Sequence, residues 1–281
     1  MRFSYLQRSC RSGNHVVRAE FRLLDPVPHP SFPNPTIQEA LCEFHFQGKP
    51  GSMWTPAKPG ALANLLRNSY PEFETVTEQG FQIAIGSDGM VAPAPMVPQF
   101  RLRFSNPESV FLLQIAQSTF SVHTVGRYPG WPAFKAELLR AWEAATEVLA
   151  PNLITRIGLR YINRVPRLSQ GEPPRAWLKS SRNIPEALLD SLPGYVFRME
   201  VATAEAERSV TTVTTDQRPS EKFGALMLDI DRVSQRLIQA GDAQLPDILE
   251  RLHEDVWQVF DQAKNENLEA YLKGENRDTA A

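Results

Sequence analysis

The chain has 281 residues, of which 42% are hydrophobic and 22% charged, and its formal net charge is −2. This composition is that of an ordinary globular protein with one large domain or two modest ones. A net charge so near zero provides no global field for nucleic acid or an anionic membrane, which disfavours nucleic acid as a partner. With only two cysteines, Cys10 and Cys42, the sequence offers neither a disulfide framework nor a C-x-x-C zinc or redox pair.

The N-terminal segment, residues 1–35, is basic and weakly patterned, and it ends in the proline-punctuated stretch HPSFPNP at 29–35. We predict that this extension is flexible. It lacks the continuous apolar core of a signal peptide, and no stretch of the sequence reaches the ~18–20 apolar residues that a membrane-spanning helix needs. A cytoplasmic protein without membrane contact is therefore expected.

The first half of the following module, residues 36–150, begins with an alternating strand and ends with a long helix. Apolar residues recur in that helix every three or four positions, which indicates one core-facing stripe. The stripe consists of Phe134, Leu138, Trp142, Ala145 and Leu149. The elements predicted for this half are a strand at 37–46, a short helix at 58–70, a strand at 81–86, a proline-rich connection at 92–98, strands at 99–104, 110–116 and 119–125, and the long helix, which ends at Ala150.

The second half, residues 154–272, has the same order of elements, which suggests a duplicated unit although the two halves share little residue-level similarity. Its predicted elements are a strand at 155–165, a short helix at 185–192, strands at 195–202, 209–215 and 225–231, and one amphipathic helix at 245–272. Residues 273–281 form a polar tail that we expect to be disordered. Strict alternation in most strands predicts an α+β fold, with antiparallel sheet and two long amphipathic helices packed on one face. We treat residues 36–272 as a single α+β module.

Five segments resemble, in this order, a sporadically distributed family of uncharacterised bacterial proteins of about this length. They are PNPTIQEALCEF, YPGWPAFK, TRIGLRYINRV, LDID and LERLHEDVWQVFDQA, which together cover roughly residues 33–265. The resemblance implies a bacterial source and a single-module protein, and it implies no activity. A sporadic distribution is typical of defence-linked or mobile genes, so the resemblance allows that setting here.

The strand RIGLRYINRV carries Arg156, Arg160 and Arg164 on one face, because side chains alternate along a strand. Guanidinium groups bind carboxylates and phosphates in a bidentate manner, so the row could bind an anionic ligand. Alternatively, the row forms a cross-strand ladder of ion pairs with acidic residues on the same face. The acids available for such a ladder are Glu39, Glu43, Glu200, Asp229 and Asp231.

Two further groups are candidates for the same site. Asp229 and Asp231 point the same way on their strand, so they either pair with arginines or, as weak candidates, share a divalent cation. Tyr128 and Trp131, in the corner YPGW, either cover the end of the core or anchor a partner by their rings. We predict that a site, if present, lies where this corner meets the arginine strand.

The sequence contains none of the common catalytic or nucleotide-binding motifs, and we predict no bound cofactor. The first hypothesis is a non-enzymatic binding or interaction module whose polar sheet face contacts a protein partner or an anionic small molecule. The alternative is an enzyme acting on a phosphorylated or carboxylated small molecule. In that case the arginines would bind the anion, and Asp229 or Asp231 would act as a base or metal ligand.

Overall fold

The structure is a computed structural model that describes residues 29–51, 54–78, 81–85, 91–95, 99–124, 126–192, 194–218 and 221–275. The predicted flexible extension lies outside the described residues up to position 28, and the predicted disordered tail lies outside them from position 276 on. Asn34 N donates to Leu272 O at 3.1 Å, and the rings of Phe32 and Trp257 stack with centroids 6.2 Å apart. The packed part of the chain thus includes residues that the sequence assigned to the extension.

The alternating segments form strands, and the segments with apolar residues every three or four positions form helices. The strands are β1 (Ile37–Gly48), β2 (Glu72–Glu78), β3 (Phe81–Ile85), β4 (Val91–Pro95), β5 (Gln99–Ser105), β6 (Phe111–Ile115), β7 (Thr119–Thr124), β8 (Pro151–Pro166), β9 (Val196–Ala204), β10 (Glu207–Asp216), β11 (Ala225–Ser234) and β12 (Ile238–Gln239). The helices are α1 (Ala57–Leu66), α2 (Trp131–Leu149), α3 (Glu186–Leu189), α4 (Leu245–Ala263) and α5 (Glu266–Leu272), and a short 3₁₀ helix spans Pro174–Ala176.

Ten of the strands form one open antiparallel sheet in the order β2-β5-β6-β7-β1-β8-β11-β10-β9, with β12 paired to β8. The two opening strands of the halves, β1 and β8, pair with each other at the centre. Each of them pairs on its other side with the last long strand before a long helix, β7 or β11. Each half thus places its opening strand at the centre of the sheet, and the predicted duplication of the two halves stays a prediction. The predicted α+β fold with an antiparallel sheet is confirmed.

The helices α2 and α4 pack against one face of the sheet, as predicted. All five residues of the stripe predicted in α2 are buried. The ring of Trp142 lies edge-on to Phe44 and Phe120 of the central strands, at centroid distances of 5.1 and 5.2 Å. Helix α2 begins after Gly130, whose φ of 94° suits glycine, and Pro132 occupies the first turn, where no backbone donor is needed. None of the helices in the described part of the chain has the length and apolar character of a membrane span.

The single helix predicted at 245–272 is wrong, because the chain breaks between α4 and α5. Lys264 adopts an extended conformation, and the Asn265 side chain caps the next helix by accepting a hydrogen bond from Leu268 N at 3.0 Å. The connection predicted at 92–98 is also wrong for residues 91–95, which pair with β3 in a separate two-stranded sheet. A proline-containing strand is tolerated there because such a strand has a free edge.

Candidate functional site

The alternation predicted for the arginine strand is confirmed. Along β8 the alternate residues Ile157, Leu159, Tyr161, Asn163 and Val165 are buried on the helix side of the sheet. The three arginines lie on the opposite face. We call this surface, away from α2 and α4, the charged face, and its central side chains are those of Glu39, Leu41, Glu43, His45, Arg101, Leu112, Ser121, His123, Arg156, Arg160, Ile162, Arg164, Asp229 and Asp231.

Arg160 is held by a bidentate pair with Asp229 of the neighbouring strand. The Nε–Oδ1 distance is 2.8 Å and the Nη2–Oδ2 distance is 2.6 Å. The hydrogen bonds that Arg160 donates to Asp229 raise the pKa of the Arg160 guanidinium further, against an opposing effect of burial. The side chain of Arg160 is 41% exposed, so the pair lies at the surface of the sheet. An anionic ligand would therefore meet an arginine whose fork already binds a carboxylate.

Arg164 finds its carboxylates in a place that the sequence did not indicate. Its Nε donates to Asp216 Oδ2 at 3.0 Å, and its Nη2 donates to Glu221. Both acids flank the turn between β10 and β11, so their approach to β8 depends on strand order and not on spacing along one strand. The only sequence signal was that Asp216 directly follows the strand predicted at 209–215.

Arg156 lies across the central pair of strands and shares Glu43 with two other groups. Glu43 accepts from Arg101 Nη1 at 3.0 Å and Arg156 Nη1 at 3.3 Å, and His45 Nε2 lies 2.7 Å from it. The Arg156 guanidinium passes so close over Gly158 that a Cβ there would be 2.9 Å from Nη1. A side chain at position 158 would therefore displace the Arg156 guanidinium from this position.

The two aspartates of the LDID strand have different environments. Asp229 is bound by Arg160, whereas the nearest cation to Asp231 is Arg156, at 3.7 Å between Nη2 and Oδ2. Asp231 Oδ1 is buried without a hydrogen-bond partner among the described residues. Burial raises the pKa of Asp231, and the nearby arginines only partly oppose this effect. The described residues contain no group of three or more His, Cys, Asp or Glu side chains arranged to hold a metal ion.

We expect Asp229→Asn and Asp231→Asn to change stability in opposite directions at pH 7. Asp229→Asn removes the charged partner of Arg160 and should lower the free energy of unfolding by about 1 kcal/mol, since the pair is partly exposed. Because the raised pKa of Asp231 means that its ionisation disfavours the folded state, Asp231→Asn should be more stable than the wild type at pH 7. This gain should disappear as the pH falls below the carboxyl's ordinary range. Urea denaturation at pH 7 and pH 3 checks both, and a loss of stability in Asp231→Asn at pH 7 would contradict the assignment.

A hydrogen-bonded chain of three side chains also lies on the charged face. His123 Nδ1 is 2.8 Å from Glu39 Oε1, and His123 Nε2 is 2.9 Å from Ser121 Oγ. In the neutral imidazole, Nδ1–H donates to the carboxylate and Ser121 Oγ–H donates to Nε2, which is the order of a carboxylate, a base and a nucleophile. The hydrogen bond from His123 lowers the pKa of Glu39 against the effect of burial. The sequence analysis did not find this chain, because Glu39 belongs to a strand 84 residues away from His123.

Tyr128 and Trp131 lie on the helix side of the sheet, so the predicted joint site with the arginines does not form. The Tyr128 and Tyr161 hydroxyls are 2.8 Å apart, and Tyr161 points to the opposite face from Arg160. The Trp131 ring is stacked on His253 of α4 at 4.2 Å, and its Nε1 donates to Glu250 Oε2 at 2.7 Å. The corner joins the start of α2 to the middle of α4. Tyr128 and Trp131 therefore cover the end of the core, the first of the two alternatives given by the sequence.

A cavity of about 630 Å³ lies at the far end of α2, between that helix end and the segment that leads into α4. Trp142, Glu143, Glu147 and Lys49 are among its lining residues. Its lining includes neither the arginines of β8 nor Tyr128 and Trp131. The predicted site residues therefore lie outside this cavity, on an open sheet surface and in a packed corner.

Three half-buried apolar side chains, those of Leu41, Leu112 and Ile162, lie between the ion pairs of the charged face. Leu41 is opposite both Arg160 and His123 in the sheet, and Ile162 is opposite Asp229.

A scan against protein-family models and a search of curated proteins give no match. The function proposed below is therefore inferred from the side chains of the charged face.

Proposed function

We propose that the protein is a non-enzymatic interaction module that binds a protein partner through the charged face. The observation that carries the proposal is the presence of three half-buried apolar side chains, those of Leu41, Leu112 and Ile162, interspersed among paired charges. Protein interfaces combine apolar and charged side chains on one surface. The helices that form the core lie on the other face, so this surface is not needed to bury them.

The pairing of the arginines favours a protein partner over an anionic small molecule. Arg160 binds Asp229, and Arg164 binds Asp216 and Glu221, so a phosphate or carboxylate ligand would have to displace an internal carboxylate. Positive and negative groups alternate across the face, which suits a partner that presents both signs of charge. Surface pairs of this kind contribute only about 0–1 kcal/mol each to stability, so specificity is the stronger reason for so many.

The test is photo-crosslinking in native cells with p-benzoylphenylalanine at position 162, and at exposed position 247 on α4 as the control. We expect one protein to be crosslinked from position 162 and not from position 247. That protein should bind the purified Ile162→Asp variant at least about tenfold more weakly than the wild type, because a charge replaces an apolar contact. Crosslinking that is equal at both positions, or a partner whose affinity is unchanged by Ile162→Asp, would overturn the proposal.

The second candidate is an enzyme that acts on an anionic small molecule, and the chain Glu39–His123–Ser121 favours it. Two observations count against it. Ser121 is fully buried, and its strand, β7, lies between β1 and β6. Pairing with those two strands uses the backbone amides that an oxyanion site would need. A fluorophosphonate probe decides between the two candidates, because it labels only activated serines. Labelling at Ser121 that is lost in His123→Ala would establish the enzyme and overturn the non-enzymatic module.

A further inference from the structure

Strand β9 ends the sheet, and its outer edge pairs with no strand of the described chain. Exposed edge strands pair readily with other strands unless prolines, bulges or repelling charges prevent it. The stretch Val196–Ala202 contains no proline, and its register with β10 is regular, since the only shift lies beyond Ala202. Val196 is 77% exposed, and within the described residues no strand covers this edge along the seven residues.

We propose that a second copy of this chain pairs with β9 in an antiparallel manner, about a two-fold axis that passes through Met199. In this register Arg198 lies opposite Glu200 of the partner subunit, and the symmetry repeats the pair on the other side of the axis. The two sheets become one continuous sheet. The proposal does not depend on the function proposed above, because it uses the edge of the sheet and not the centre of the charged face.

The charges of β9 select this register from the symmetric alternatives. A two-fold axis through Arg198 would place two guanidiniums opposite each other, and an axis through Glu200 would place two carboxylates opposite each other, both of which are destabilising. Only the axis through Met199 brings each charge opposite its complement. Met199 is also the midpoint of the regular stretch Val196–Ala202.

The charged side chains of β9 are exposed enough to meet a second copy. The side chains of Arg198 and Glu200 are 61% and 48% exposed, and the closest approach between them in one chain is 3.9 Å. Within the chain Glu200 also lies 3.2 Å from Nε of Arg208 on β10, so the proposed pair would add a second cation to this carboxylate. On the other face of the strand, Phe197, Met199 and Val201 are half-buried, and in the proposed register Phe197 lies opposite Val201 of the partner subunit. Pairing would thus cover apolar surface on one face and join opposite charges on the other.

The other end of the sheet differs in a way that favours a closed dimer over a filament. The sequence of β2 is EFETVTE, with three glutamates and no basic residue. Pairing of β2 with itself would therefore bring like charges together. An isologous contact through β9 alone closes after two subunits.

Disulfide crosslinking tests the register. Two residues directly opposite on antiparallel strands have Cα atoms about 4.5–5.5 Å apart, which a disulfide can span. In a Cys10→Ser background, we expect Met199→Cys to form a covalent dimer under mild oxidation. Val201→Cys is the matched control, since two copies of this position would be ~13 Å apart along the strands and should not crosslink. Equal crosslinking of the two variants would overturn the proposed register.

Charge reversal tests the same contact without a covalent bond. Sedimentation equilibrium should give the wild type a mass of twice 31.6 kDa. Arg198→Glu and Glu200→Arg should each weaken the dimer by about tenfold or more, because both symmetric pairs become repulsive. An equimolar mixture of the two variants should dimerise again, since the pairs between them are complementary. A wild type that is monomeric at about 100 μM, or a mixture that associates no better than either variant alone, would overturn the proposal.

Discussion

Phe44→Ala is expected to lower the free energy of unfolding by about 3–5 kcal/mol, the usual cost of removing a large aromatic ring from a core. Phe44 is fully buried on the helix side of β1. Its ring centroid lies 6.0 Å from Phe120 and 5.1 Å from Trp142, so one side chain joins two strands to α2. The cavity left by alanine would be lined by rings that cannot collapse into it without moving the helix.

Equilibrium urea denaturation of the purified variants measures this effect, with the slope of the transition as a check on two-state behaviour. Phe100→Ala is the matched control, because Phe100 is 68% exposed and its removal should change stability by no more than about 0.5 kcal/mol. A Phe44→Ala variant that loses less than about 1 kcal/mol would contradict the packing of α2 on the central strands.

The sequence predicted the fold correctly in those elements whose apolar residues follow a single periodic pattern. The alternation in β8 placed Arg160 and Tyr161 on opposite faces, and the stripe in α2 identified its buried side. The break at Asn265 was missed because apolar residues continue with helical spacing through it, so the capping side chain was the only local signal.

The site was harder to predict because its parts come together only through the order of the strands. Asp216 and Glu221 reach Arg164 because β11 lies beside β8, and Glu39 reaches His123 because β1 lies beside β7. Tyr128 lies on the helix side of the sheet because of the direction in which the chain turns at the YPGW corner. Strand alternation does not predict that direction. The edge position of β9 likewise follows from sheet order alone.

Glu43→Gln is expected to be the most damaging change on the charged face, at about 3 kcal/mol of unfolding free energy at neutral pH. The Glu43 carboxylate is in contact with His45, Arg101 and Arg156, and its side chain is 19% exposed. Burial by itself would raise the pKa of Glu43, but the hydrogen bonds from His45 and Arg101 outweigh burial and lower the pKa from 4.5 to about 2. Glutamine lacks the charge and leaves the Arg101 and Arg156 guanidiniums facing one another.

The pH dependence of the loss identifies its cause. A carboxyl whose pKa is lowered by folding stabilises the folded state above its unfolded pKa, and this stabilisation is lost as the pH falls through the folded pKa. The difference between wild type and Glu43→Gln should therefore be complete above about pH 5 and shrink between 4.5 and about 2. Glu74→Gln is the control, because Glu74 is 61% exposed and pairs with Arg103 at the rim. Its loss should be about 0.5 kcal/mol or less.

A loss of stability in Glu43→Gln that is the same at pH 3 and pH 7 would contradict an electrostatic origin. If Glu43 holds Arg101 and Arg156 in place, the central cations of the charged face are fixed before any partner arrives. A partner then meets a rigid pattern of charge around Leu41, Leu112 and Ile162, so less side-chain freedom is lost on binding. Glu43→Gln should thus weaken the partner's affinity even at temperatures where the variant remains folded.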